Sequence, residues 1–421
     1  MKRSTKRILT THTGSLPRPQ GLLTMLLASE AGQPVDRPAF DANVRAAVDE
    51  TIRKQIAAGV DVINDGEMSK PGYSTYIKDR LSGFGGENVP LGRSTRLGDL
   101  AEFPDYAARM FAERPLTTIK MPACNGPVAY RNTHDLELDL ANLKTATDGV
   151  KAEEVFMSAA SPGVVSLFLT DQHYGSHEKY LAAIADAMKT EYDAIHRAGF
   201  LLQVDCPDLA MGRHIQFADL SVSEFRKMAA MHVEALNHAL ADVPADAVRM
   251  HLCWGNYEGP HHRDVALKDI VDVVLRAKPA AISFEASNPR HEHEWKVWQG
   301  AKLPAGGKVL IPGVLDSSTN FIEHPELVAE RIVRFANVVG RENVIAGTDC
   351  GFSTFAGMTL VDPAITWAKL ASMAEGARLA SRELWRRASR PAPRAKRPAP
   401  ARKATARRSS KPAKARAARR K

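Results

Sequence analysis

The sequence predicts a (β/α)8 TIM barrel followed by a disordered basic tail, and three observations carry that prediction. Apolar, β-branched runs recur eight times, each closed by Gly, Pro, Asp or Asn, as strand-to-loop junctions are. Between them lie longer stretches whose apolar residues recur at three- and four-residue spacing, the pattern of helices packed along one face. After Trp385 the last 36 residues hold only Lys/Arg, Ala, Pro, Ser and Thr. Eight βα units close most economically as a barrel; a doubly wound open sheet is the runner-up.

In chain order the strand candidates are Ile8–Thr13, Val60–Asn64, Thr117–Met121, Leu201–Asp205, Val248–Cys253, Ala281–Glu285, Val309–Val314 and Val344–Thr348. The helix candidates are Asp41–Ala58, Tyr180–Ala198, Ser223–Leu240, Leu267–Ala277, Pro325–Val339 and Ile365–Leu384. Gly199 supplies a C-terminal cap just before the fourth strand. Gaps of about 50 and 80 residues after strands two and three mark insertions.

Charge divides the chain in two. There are 57 Lys+Arg against 48 Asp+Glu, a formal net charge of +9. Residues 386–421 carry 16 of the bases and no acid, which leaves the first 385 residues with 41 bases against 48 acids. We therefore read residues 1–385 as an acidic barrel domain and 386–421 as a tail that cannot bury a core and repels itself into extended forms. The tail suits non-specific, salt-sensitive phosphate contact with nucleic acid or another acidic surface, although no aromatic residue is interleaved for base stacking. A basic start is followed by only Ile8-Leu9, short of a secretory signal, and no apolar run is long enough to span a membrane. Four cysteines in 421 residues are too few for a disulfide framework, which points to a reducing, cytoplasmic setting.

The chemistry-bearing residues collect at strand ends. His251 and Cys253 are two apart and so point to one side of a strand. Glu285 ends the next strand and Cys350 follows the last. In a barrel these positions open onto one mouth. Two thiolates, an imidazole and a carboxylate suit Zn2+, and their wide separation in sequence is unlike a structural zinc site. Two thiolates and a carboxylate leave such a centre with a net charge of −1. It would lower the pKa of a bound thiol while leaving the thiolate electron-rich, which suits alkyl transfer to that thiol. The plainer alternative is that a His-x-Cys pair on a strand is core.

These residues resemble the C-terminal catalytic barrel of cobalamin-independent methionine synthase, over most of residues 8–375. The match opens with Thr10-Thr11-His12-Thr13-Gly14-Ser15-Leu16-Pro17. It continues through Asp65-Gly66-Glu67, Gly126-Pro127-Val128 and Gln203-Val204-Asp205 to the His-x-Cys, Glu and Asp-Cys-Gly elements. The resemblance implies that His251, Cys253, Glu285 and Cys350 bind zinc and that the acceptor is homocysteine, methylated to methionine. It further implies that Gly14 and Ser15 hold the amino acid's carboxylate and that Glu67 and Asp205 grip its ammonium.

The sequence also departs from the family. The second, N-terminal barrel of the full methionine synthase has no counterpart here. Ala129-Tyr130-Arg131-Asn132-Thr133 replaces a segment ending in tryptophan, and Asp205-Cys206-Pro207 replaces Asp-Glu-Pro. Asp316-Ser317-Ser318 lacks the histidine the family places after strand seven. The Asn256–His261 loop and Asn288–His293 look more like a compact branch that includes epoxyalkane:coenzyme M transferase, so thiol addition to an epoxide stays as an alternative. So does a non-catalytic scaffold binding nucleic acid through the tail. His291 and His293 read as an exposed helix start, Cys124 and Cys206 as wall. Arg290 meets either an anionic substrate or an ion-pair partner, and Trp254 either covers the zinc or packs.

Overall fold

The computed structural model describes residues 1–88, 98–113, 119–304 and 306–389. Its first half runs β1 (Leu9–Thr10), α1 (Gln20–Glu30), α2 (Arg37–Ala57), β2 (Val62–Ile63), α3 (Ile77–Arg80), β3 (Phe84–Asn88), α4 (Pro104–Glu113), β4 (Pro122–Cys124), α5 (His134–Thr147), β5 (Glu154–Ala160), α6 (Pro162–Phe168) and α7 (His177–Arg197). The second half runs β6 (Leu201–Asp205), α8 (Val222–Ala239), β7 (Val248–Leu252), α9 (Val271–Val274), β8 (Ala281–Phe284), α10 (Val297–Gly300), β9 (Val309–Leu315), α11 (Pro325–Val339), β10 (Ile345–Thr348) and α12 (Pro363–Ser389).

Eight strands pair in parallel in the order β1-β10-β9-β8-β7-β6-β5-β2. The seam between β1 and β2 is bridged by Asp61 N donating to Thr10 O at 3.1 Å and Thr11 Oγ1 donating to Val62 O at 3.0 Å. The sheet is thus a nearly closed barrel with helices outside. The helices begin where local chemistry allows. Ser221 and Glu224 form a capping box on α8, which satisfies orphan amides at its start. Pro325 opens α11, where its missing N–H costs nothing. Inside the barrel Arg249 lies 4.1 Å from the Phe156 ring centroid and donates to Thr11 Oγ1 and His12 O. That layer forms the floor beneath the mouth.

The third strand needs correction. Of Thr117–Met121, the first two residues lie outside the described residues; residues 119–121 lead into β4, which pairs antiparallel with β3 in a separate two-stranded sheet rather than in the barrel. The barrel's third strand is β5, so the excursion after β2 runs to Glu154 and the one after β5 is short. The sequence-predicted 267–277 helix is a 3-10 turn at Leu267–Asp269 followed by the single turn α9. Helix α12 continues to Ser389, four residues past the compositional boundary at 385. Residues 390–421 of the basic tail lie outside the described residues. No helix among the described residues is long and apolar enough to cross a membrane.

Candidate metal and substrate site

Strands β7 and β8 lie in register with His251 opposite Ser283. From β7 and the loops after β7 and β10, one donor atom each of His251, Cys253 and Cys350 comes within 4.8 Å of the others, all buried. Glu285, just beyond β8, lies against the group, its Oε1 3.6 Å from Cys350 Sγ. Residues separated by up to 99 positions in sequence are therefore brought together, as strand-end placement requires.

Three of the four are oriented by neighbours. His251 Nδ1 is 3.2 Å from Ser283 Oγ, while its Nε2 is buried with no hydrogen-bond partner. Glu285 Oε1 accepts from Trp254 N at 2.8 Å and its Oε2 from Asn288 Nδ2 at 2.6 Å. The loop carrying Asn288 is pinned by Asp349, which accepts from the amides of Ala286, Ser287 and Asn288. Cys350 N donates to Ser317 Oγ at 3.0 Å, so the serine loop after β9 positions a thiol.

The electrostatics fit a cation. Burial pushes His251 down to about 3, so the imidazole is neutral and able to ligate. Burial, then Cys253 and the Glu285 and Asp349 charges, push the Cys350 thiol well above its ordinary range. Burial likewise raises Glu285. A buried cluster of would-be anions with an unpartnered imidazole nitrogen is stable in ionised form only beside a positive ion. The donor set and the orphaned nitrogen are therefore suited to zinc.

Residues 168–377, which include all four of these positions, match the family model described as cobalamin-independent synthase, catalytic domain. The chain belongs to the cobalamin-independent methionine synthase family. Among curated relatives, the methionine synthase of Saccharolobus solfataricus is 24% identical over 382 residues, 90% of this chain and 96% of that one. That of Thermococcus kodakarensis is 24% identical over 374 residues, covering 89% and 93%. Among solved structures, a B12-independent methionine synthase from Shewanella sp. W3-18-1 shares the fold with a TM-score of 0.67 at 20% identity, covering 90% of this chain and 99% of that one.

Beside the donors lies a chamber of about 110 Å³ whose walls include Ser15, Glu67, Asp205, His251, Cys253 and Cys350. Three of this family member's four sequence-predicted substrate residues thus share a cavity with three of its four sequence-predicted metal ligands. Gly14 does not line the chamber. It makes room: a Cβ there would sit 2.4 Å from Glu67 Oε1. Gly351 plays the same part for Ser15, since its Cβ would meet Ser15 Oγ at 2.1 Å. Glu67 adopts a left-handed backbone with φ 58, a conformation that costs a side-chain-bearing residue about 1–3 kcal/mol. It is held there by Asp65 Oδ1 accepting from its amide and by Arg18 donating to its carbonyl. Glu67 Oε1 accepts from Ser158 Oγ at 2.6 Å, and Oε2 is buried with no partner. Burial, then the Glu67 charge, push Asp205 well above the usual carboxylate range.

Several site residues escaped the sequence reading. Ser158 was missed with strand β5, and Ser283, Asn288 and Ser317 carry no motif of their own. Strand parity did place Ser283 two before Glu285, the one available signal. His291 is a correction. It is buried, with Nδ1 2.9 Å from Glu294 and Nε2 2.9 Å from Asp264, and it stacks on Trp254 at 4.1 Å. His293 is exposed as expected. Trp254 packs, donating Nε1–H to Val265 O. Arg290 donates to His262 O, and neither Cys124 nor Cys206 lines the chamber.

Proposed function

We propose that this chain methylates the thiol of homocysteine to give methionine, with zinc held by His251, Cys253, Glu285 and Cys350. One observation carries the reading: His251, Cys253 and Cys350, with Glu285 against the Cys350 thiol, line or adjoin one small chamber that also holds two buried carboxylates. When bound, zinc lowers the pKa of the acceptor thiol and leaves it nucleophilic, because two thiolates and a carboxylate donate charge.

The protein's own residues do the rest. Glu67 and Asp205 take the acceptor's ammonium; a cation between them relieves the repulsion and burial that raise Asp205, and fills the empty valence of Glu67 Oε2. Ser15 Oγ accepts a 3.4 Å contact from Ser353 N, which leaves its own proton for the acceptor's carboxylate. Holding thiol, ammonium and carboxylate at once aligns the sulfur for in-line displacement. A second cavity of about 420 Å³ lies past Cys350, with Asn256, His261, Glu285, Arg290, Asp316 and Ser318 among its lining residues. It gives a methyl donor its own approach, so both substrates are bound together.

The same charges weigh against the epoxide alternative. Coenzyme M ends in a sulfonate, and the Glu67–Asp205 pair would repel it. Support from relatives agrees with the amino-acid reading: the curated matches are methionine synthases, and the Shewanella structure holds selenomethionine. The basic tail is a separate matter. Ser381 and Leu384 bond to Ile8 and Arg341, at the amino ends of β1 and β10, so the tail starts on the face away from the mouth. Polyanion contact there would leave catalysis untouched, and the barrel itself is cytoplasmic and catalytic in this reading.

The test is direct. Zinc-loaded protein is incubated with homocysteine or coenzyme M and, in turn, methyltetrahydrofolate, methylcobalamin or a small epoxide, with products read by mass spectrometry. Methionine from a methyl donor supports the proposal. Alkylation of coenzyme M alone, or no product with any pair, overturns it.

A further inference from the structure

Two chamber side chains come from far outside the strand ends. Met110 and Phe111, half-buried on α4, line the same cavity as Glu67, Asp205 and both thiols. Helix α4 is fastened to the loop that follows Cys253. Asp99 accepts from Tyr257 OH and from His261 N, Glu102 pairs with Arg263 and His262, and Tyr106 OH donates to Glu258 O. Phe103 meets the His262 ring edge-on at 5.7 Å. The loop that presents a metal donor is therefore also the anchor of a cover.

The cover closes on a fixed aromatic wall. Tyr73 packs edge-on against Phe168 at 5.9 Å, and Phe168 against Phe355 at 5.9 Å. The proposed metal ligands and the carboxylates line the same cavity. A ligand that satisfies both polar groups must lay its aliphatic body between Phe111, Met110 and those rings, within about 110 Å³.

We propose that Met110 and Phe111 are specificity-determining residues that limit the acceptor to a thiol joined to its ammonium by a short aliphatic chain. The proposal rests on the thiol chemistry above. An apolar wall that must move to admit one extra methylene discriminates by about 10–200-fold.

Calorimetric binding of homocysteine and of its one-methylene-longer homologue to the zinc-loaded full chain tests this. The native protein should prefer homocysteine by about 10-fold or more. Phe111→Ala and Met110→Ala should bring the ratio close to one by tightening the longer thiol, with zinc content unchanged. Phe111→Leu, which keeps an apolar wall, should retain most of the preference. An unchanged ratio in both alanine variants, or equal weakening of both thiols, overturns this inference alone. Failure of the native protein to bind either thiol overturns the proposed function, and this inference with it.

Discussion

On the thiol side of the chamber the proposed ligands are tied down within the barrel: Ser283 to His251, Trp254 N and Asn288 to Glu285, Ser317 to Cys350 N. On the covering side, α4 rests on an exposed loop through Glu102, Arg263, His262 and Tyr106, with Phe103 46% exposed. Exposed pairs of this kind hold only weakly, because solvent screens them. The difference teaches a division of labour. In the proposed reading, chemistry sits where parallel strands end, and selection sits on a helix held from outside the barrel by the loop after Cys253.

Four substitutions sharpen or break that division. The largest effect belongs to the metal wall: Cys350→Ser should remove stoichiometric zinc and lower turnover by more than about 100-fold, since losing an outer partner alone costs about 10–100-fold. Full zinc by elemental analysis, or near-native turnover, would break the comparison. Next, Asp205→Asn should raise KM for homocysteine by about 10–100-fold with zinc retained, the weight of a charge-assisted contact. A pure kcat effect would place Asp205 elsewhere in the cycle.

Ser283→Ala should weaken zinc affinity by about 10-fold, measured by chelator competition, with the fold intact. The smallest effect is one of pH. Burial alone would lower His291, but hydrogen bonds to Asp264 and Glu294 raise it to about 10. Its folded value lies above the unfolded one, so the stabilisation is complete below about 6.5 and drains away as pH climbs through about 10. Thermal melts should therefore fall between pH 7 and pH 10, and His291→Gln should flatten that slope. The slope persisting in the variant would refute the assignment. On the acid side, hydrogen bonds from His261 and His291 outweigh burial and hold Asp264 at about 2, so its contribution is lost only as pH falls from the ordinary carboxylate value toward 2.

The same contrast explains what could be read from sequence. Strands β6 to β10 were legible because they are apolar runs with sharp turn residues, and parity then aimed His251 and Cys253 together. Strand β5, Glu154-Val-Phe-Met-Ser-Ala-Ala160, was not, since Glu, Met and Ala favour helix and only one β-branched residue marks it. Thr117-Thr-Ile-Lys-Met121 has the better strand composition, yet its described residues, 119–121, lead into a two-stranded sheet outside the barrel. His291 looked exposed because His-Glu-His-Glu is polar; its burial depends on Asp264, 27 residues away, a pairing that no local pattern encodes. The covering helix was invisible for the same reason. Its anchors are 150 or more residues distant in sequence.

X-ray absorption at the zinc edge, with and without homocysteine, tests the central claim most directly. The account predicts two sulfur neighbours, from Cys253 and Cys350, with the remaining sites nitrogen and oxygen, rising to three sulfurs when homocysteine is added. A spectrum without two sulfurs, or one that homocysteine leaves unchanged, would contradict it.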